Sequence, residues 1–434
     1  MKREKVDPAT LQTAAGLPDI KAMNDSLLFE VDEVNKLREL AKRVAEIAAL
    51  PIQSEKAKLW TKHNDLKTTK PLVFIDPENG WNECIPADTL TCRTPMARVW
   101  EMFLKKQIYW HEVLKDDKVI EPYFDIPYSF TDTGWGVVLD KEGVQYGGAY
   151  KVKPAIEDYE TDFKKVQYPK IMIDQKESDD VLELAKEVFD GLLTVRRKTS
   201  WWWTMGMTWD YINLRGLEDF ICDLIDEPDY VHRMMELLSE GILSRLDFFE
   251  ENGYLASNTG GTYVASGGFG FTDELPATSA EKITTMDMWG FVESQETVMV
   301  SPEMYNEFIF PYHKRIAERF GLNCYGCCEG FDMRWKYVKH LPRLRRVSVS
   351  PWANWDKVEE YLGNRYIVSI KPNPAYLALP QLNEDAARDE IKKALACSKN
   401  SALEIIMKDN NTLGNNPRNA ARWVEIFREE AERL

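Results

Sequence analysis

Short apolar and β-branched runs return along this chain with helical stretches between them, and that alternation restricts the fold more than any other feature. A strand followed by a helix cannot turn back as a hairpin, so a series of such units builds a parallel sheet covered by helices. The runs fall at 72–76, 119–126, 201–207, 255–258, 288–293, 323–327, 347–350, 367–371 and 404–408. Nine runs compete for the eight places of a (β/α)8 TIM barrel, so one of the first two is expected in a flanking hairpin. Helix signals lie between them at 217–224, at 229–252 before Gly253, at 301–320 with Pro302 in the first turn and Gly321 at the end, and at 417–434. Ahead of the first run, Val31, Val34, Leu37, Leu40, Ala41, Val44 and Ile47 share one face of a helical pattern over 30–66. With no internal repeat and no Gly/Ser linker, 434 residues read as a helical extension (1–70) on one α/β barrel (71–434).

Composition excludes several function classes. With 55 basic and 71 acidic residues the formal charge is −16, which repels nucleic acid. No apolar run is long enough to span a bilayer, and residues 1–10 are charged without a signal-type apolar segment, so the expected location is cytoplasmic, away from membranes. Seven cysteines is an odd count. Cys84, Cys92, Cys222 and Cys397 stand alone, as reduced thiols do, whereas Cys324, Cys327 and Cys328 crowd into five residues.

Reactive side chains gather where the later runs end, the rim at which barrel enzymes place their sites. Glu293, Gln295 and Glu296 follow one run; Tyr325, Cys327, Cys328 and Glu329 the next; Ser350, then Lys371 and Asn373, then Lys408 and Asp409 follow the rest. Alternation places Tyr325, Cys327 and Glu329 on one face and pairs Glu293 with Gln295. A thiolate with carboxylates is a donor set for a divalent metal such as zinc, while ordinary buried thiols are the alternative. Glu293 and Glu296 suit acid roles if water is excluded, or else ion pairing. Lys371 suits an anion, and Lys408 beside Asp409 equally suits a structural salt bridge. Trp209, Asp210 and Asn258 are further candidates for substrate contact, and Trp201-Trp202-Trp203 for core or for a flat pocket wall. His63, His111, His232 and His340 read as structural. The glycines of 259–270 lack a phosphate-loop pattern and suggest a closely packed or moving loop.

Several of these stretches resemble the uroporphyrinogen-decarboxylase-like superfamily. Leu214-Arg215-Gly216-Leu217-Glu218-Asp219-Phe220 is similar to its strand-and-helix segment, as are Ser301-Pro302-Glu303-Met304-Tyr305 and Pro311-Tyr312. The chain looks most like demethylase-type members in Trp289-Gly290-Phe291 with Glu293 to Glu296, Tyr325 to Glu329, Ser348 to Trp352 and Lys371 to Pro374. Cys327 matches the cysteine of the His-x-Cys motif of the zinc methyltransferases in this superfamily, with Tyr325 in the histidine's place and no cysteine near the last strand. The arginine-bearing segment of the true decarboxylases is missing, and Trp100-Glu101-Met102-Phe103 offers no replacement.

The resemblance implies a methyltransferase that moves a methyl group from a small O-methyl or N-methyl compound to a corrinoid. Its expected partners are that substrate and a corrinoid-binding protein, with a homodimer left open. In that reading Glu293, Glu296, Lys371 and Asp409 are catalytic, and Trp209, Asp210, Asn258, Gln295, Tyr325, Ser350 and Asn373 bind substrate. Any zinc would use Cys327, Cys328, Glu329 and Glu293. The alternative is a metal-free decarboxylase or related lyase of the same fold.

Overall fold

The computed structural model describes residues 27–67, 70–142, 151–199, 204–277, 282–398 and 401–433. Its centre is one parallel sheet of six strands: β1 (Leu72–Ile75), β2 (Trp289–Val292), β3 (Leu322–Tyr325), β4 (Leu344–Val349), β5 (Ile367–Ile370) and β6 (Ala402–Met407). They lie in the order β1-β6-β5-β4-β3-β2, so consecutive strands from β2 onward are neighbours and the first strand closes against the last. Every residue of β1, β2, β3, β5 and β6 is buried. That explains why these runs are nearly continuous in apolar residues, since a covered parallel sheet is dry on both faces.

The early runs behave differently. Within 119–126 only Tyr123–Ile126 is a strand, and it pairs in parallel with Thr194–Arg197, a strand the sequence reading does not anticipate. Neither of the first two runs enters the flanking hairpin expected for one of them: Leu72–Ile75 pairs in parallel with β6 and Tyr123–Ile126 in parallel with Thr194–Arg197, while the antiparallel pairs are Phe130–Asp132 with Ile171–Ile173 and Asp140–Glu142 with Lys151–Lys153. The 255–258 run is no strand. Asn258 instead uses its side chain as a peptide mimic, accepting from Trp289 N–H and donating to Trp289 C=O, both at 2.9 Å. Trp201 to Trp203 lie outside the described residues, and 204–207 has no ladder, although Met205 N–H donates to Phe291 C=O at 3.1 Å. Among the described residues the result is an α/β fold with a six-stranded parallel sheet, and ladder hydrogen bonds do not run round a closed barrel.

Helices α1 (Val31–Ala48) and α2 (Pro51–Asn64) make up the N-terminal part. Leu37, Leu40, Ala41, Val44 and Ile47 of α1 are buried as their spacing requires, while Val31 at its start is exposed. The C-terminal end of α2 reaches the sheet interior with Trp60, His63 and Asn64, all fully buried. The 301–320 pattern divides into Pro302–Phe308 and Phe310–Ala317. Pro311 explains the break, because its ring cannot continue a helix from the preceding turn. Helices Pro95–Tyr109, Gln175–Phe189, Leu217–Asp226, Pro228–Glu251, Phe331–Val338, Glu384–Ala396 and Arg418–Ala431 add to the cover. All seven cysteines are free thiols. Among the described residues no helix is long and apolar enough to cross a membrane.

The sheet interior is filled by the glycine-rich segment. Ser266 Oγ donates to Gly326 C=O at 3.0 Å, and Asn64 Nδ2 donates to Phe269 C=O at 2.7 Å. Gly268 has φ +86°, and a Cβ there would stand 2.8 Å from Glu404 Oε1 and 2.9 Å from Arg346 Nη2. Glycine is required at that point because the backbone passes directly over an ion pair.

Candidate functional site

Strands β3 to β6 end on the same side, and their ends surround a cavity of about 350 Å³ lined by Cys327, Cys328, Trp352, Lys371, Asn373, Lys408 and Asp409, with Pro351, Pro372 and Pro374 in its wall. Lys371 extends β5, its N–H bonding to Val349 C=O at 2.9 Å, so its side chain shares a face with Ser369 two residues earlier. Its Nζ donates to Ser369 Oγ at 2.6 Å. Ser369 donates in turn to Glu404 Oε1 at 2.5 Å, and Glu404 pairs with Arg346 Nε and with His63 Nε2, both at 3.0 Å. Burial pushes the Lys371 ammonium down to about 8, with Glu404 acting in the opposite direction. Burial alone would raise Glu404, yet Arg346, His63 and Lys371 around it bring its carboxyl down to about 2.

Lys408 lines the opposite side of the cavity, with Nζ 3.1 Å from Asp409 Oδ1 and 3.9 Å from Cys327 Sγ. Burial works against its charge, while Tyr263, Cys327, Asp409 and Glu78 act the other way and raise it above the ordinary lysine value, with the Asp409 carboxylate the nearest partner. Glu78 is raised to about 8 by burial and by the neighbouring Asp76. The cavity thus presents two lysines with different duties: Lys371 can exchange a proton near neutral pH, whereas Lys408 is a fixed charge.

The thiols owe their position to Gly326, whose φ of +90° ends the alternation of β3 at Tyr325. Glu329 then clasps two strand ends, accepting from Ser294 N–H at 2.8 Å and from Cys327 N–H at 2.9 Å. Cys327 Sγ and Cys328 Sγ lie 3.7 Å apart. The contact with Cys328, then burial, pushes the Cys327 thiol up, so Cys328 is first to ionise. Beside this turn Glu293 is fully buried and accepts from Gln295 N–H at 2.9 Å. Burial, then Glu296 and Glu329, raise it well above the carboxylate range, so it holds a proton. Glu296 is raised chiefly by burial and accepts from Thr208 Oγ1 at 2.7 Å.

The structure therefore brings Cys327, Cys328, Lys371, Asn373 and Asp409 to one cavity, and sets Glu293, Gln295, Glu296 and Glu329 in a neighbouring acidic group outside its lining. The others lie apart. Tyr325 is buried outside the cavity lining, its hydroxyl among Glu329, Arg334 and Tyr305, because the face shared with Cys327 is lost at Gly326. Asp210 bonds to Trp135 near Arg245, and burial raises it; Trp209 is 43% exposed on the helix Thr208–Arg215. Asn258 is committed to Trp289, and Ser350 is fully buried with its C=O accepting from Trp355 Nε1 at 2.9 Å. Sequence reasoning missed Ser369, Glu404, Arg346 and His63. A Glu inside the otherwise apolar β6 was the available signal, since a buried acid demands a partner.

Zinc does not fit the expected donors. Both oxygens of Glu329 accept backbone N–H groups, Glu293 holds its proton, and the Lys408 ammonium faces the Cys327 sulfur. Among the described residues no group of three or more His, Cys, Asp or Glu side chains could hold a metal ion. Cys327, Cys328, Glu329 and Glu293 are therefore not assembled as ligands.

No family profile matches this chain, and no curated protein does. Among solved structures it is similar to a methyltransferase from Methanosarcina mazei, at 13% identity over 86% of this chain and 97% of that one, with a TM-score of 0.48. A likeness that remote says nothing about the chemistry.

Proposed function

We propose that this chain is an enzyme that takes the methyl group of a small O-methyl or N-methyl compound, bound in the Lys371 cavity, and passes it to a corrinoid carried by a separate protein, without zinc at its cysteines. The observation that carries the reading is a buried lysine, tuned to about 8, opening into a cavity at the strand ends. The motifs at 289–296, 325–329, 348–352 and 371–374, similar to those of demethylase-type proteins, supply the reaction class. A reduced corrinoid brought to the mouth supplies the nucleophile for the methyl carbon. Lys371 gives its proton to the leaving oxygen or nitrogen as the bond to the methyl carbon breaks, so the electron pair stays on an atom that leaves neutral. Ser369 holds Nζ in place, Lys408 stabilises negative charge, and Trp352 with the prolines walls off water.

The segments that follow β2, β3, β4 and β5 carry exposed apolar side chains, Val298 and Met299, Met333 in the first turn of the helix Phe331–Val338, Trp352 and Leu379. These offer a carrier protein a surface on the same rim. We also infer that the sheet belongs to a (β/α)8 barrel completed through the segments at its two edges, where Asp117 N–H bonds to Val73 C=O and Met205 N–H to Phe291 C=O.

One observation favours a second reading, a metal-free carboxy-lyase. Two ammonium groups at one cavity suit a substrate carboxylate. Incubation of the protein with free cob(I)alamin and a panel of methoxy and methylamino compounds separates the two. Methylated corrinoid with equimolar demethylated product supports transfer; none from any member, with carbon dioxide released from a carboxylated analogue, supports the lyase.

A further inference from the structure

Cys327 and Cys328 are adjacent in the chain, and nothing in the proposed reaction uses both. Their sulfurs stand 3.7 Å apart, in van der Waals contact, so both side chains leave the turn on the same side. They differ in access: Cys328 is exposed and Cys327 buried. The Lys408 Nζ, 3.9 Å from the Cys327 sulfur, offers a positive charge to a thiolate there. Gly326, at φ +90°, gives the turn room to adjust. The other cysteines have no such neighbour: Cys84, Cys92, Cys222 and Cys397 are scattered through the sequence, and Cys324 Sγ faces Arg346 Nη1 at 3.7 Å.

We propose that Cys327 and Cys328 form a thiol–disulfide exchange site that a small aliphatic disulfide converts to a vicinal disulfide at the cavity mouth. The Cys328 thiolate attacks one sulfur of the small disulfide, forms a mixed disulfide and expels one thiolate. The Cys327 sulfur then attacks the Cys328 sulfur, closes the ring and expels the second thiolate. Two electrons pass from the cysteine pair to the small disulfide, and the two cysteine protons end on the two released thiols, so the exchange balances without another reactant. Closure requires the sulfurs to approach from 3.7 Å to bonding distance, and because adjacent Cα atoms stand closer than an unstrained disulfide spans, the peptide between Cys327 and Cys328 must twist as the two side chains rotate. The product removes the Cys327 thiol from Lys408 and narrows the cavity that both cysteines line. This site stands whichever reaction the cavity performs.

The test uses the full chain and oxidised glutathione, with alkylation and peptide mass mapping. The wild type is expected to lose two hydrogens from the peptide spanning 325–334 and to retain no glutathione there, reversibly on adding dithiothreitol. Cys327→Ser is expected to keep glutathione on Cys328, at an occupancy at least about tenfold above the wild type. Cys328→Ser is expected to leave Cys327 unmodified, since the buried sulfur has lost its exposed partner. Glutathione retained on wild-type Cys328 as fully as in Cys327→Ser would overturn the proposal, as would an unmodified 325–334 peptide in a folded protein whose exposed Cys222 reacts. Circular dichroism of both serine variants separates these results from misfolding.

Discussion

Lys371 is where residue chemistry and function meet. Its folded pKa of about 8 lies below the ordinary lysine value, so the ammonium is a stronger acid than a surface lysine and carries its proton only below that pH. Methyl transfer is therefore expected to fall as pH rises through about 8, checked by a kcat profile between pH 6 and about 10. For stability the sign is opposite. A base with a depressed folded pKa costs most where both states are protonated, below about 8, and the cost fades as pH rises from about 8 to the unfolded value, above which it is gone. Lys371→Met is thus expected to abolish transfer while raising unfolding free energy at neutral pH by about 1–3 kcal/mol, read by urea denaturation. Glu404 behaves in reverse. Its carboxyl, lowered to about 2, stabilises the fold above its unfolded pKa and loses that contribution as pH falls toward about 2. Glu404→Gln strands the buried Arg346 charge, and a loss of about 3–5 kcal/mol is expected in the same measurement at neutral pH.

At the scale of elements, the glycine-rich segment is the part most exposed to test. Gly268→Ala combines a positive φ with a Cβ pressed on Glu404 and Arg346, and a destabilisation of about 1–3 kcal/mol is expected. Gly253→Ala, at φ +71° but facing open space, should cost about 1 kcal/mol, as urea midpoints of the pair would show. Legibility in the sequence followed burial. The later strands are legible because a doubly covered strand writes itself as an apolar run, although the run read as 404–408 starts at Glu404, two residues inside β6 (Ala402–Met407). Of the early parallel pair, Tyr123–Ile126 is the end of the 119–126 run, whereas Thr194–Arg197 is hidden by its charged residues, with Arg196 pairing with Asp125 across the two strands. Asn258 misled for a related reason: its side chain does the pairing that a strand backbone would do. In the candidate site, Lys371, Cys327 and Asp409 were legible from their place after a strand. Tyr325 was not, since its face depends on Gly326, a conformational fact that spacing does not carry.

For the whole molecule, the proposed reaction needs both a small-molecule cavity and a rim fit for a second protein. Met299 and Met333 are exposed on that rim and do not line the cavity. Changing both to Glu is expected to leave transfer to free cob(I)alamin intact and to slow transfer to a carrier-bound corrinoid about tenfold or more, read as single-turnover rates. The most direct measurement is a crystal structure of the protein soaked with a methoxy or methylamino compound that it demethylates. Difference density is expected in the cavity, with the demethylated oxygen or nitrogen within hydrogen-bond distance of Lys371 Nζ and the body of the molecule against Trp352. Density instead beside Glu293 and Glu296, with the Lys371 cavity holding only solvent, would contradict the account.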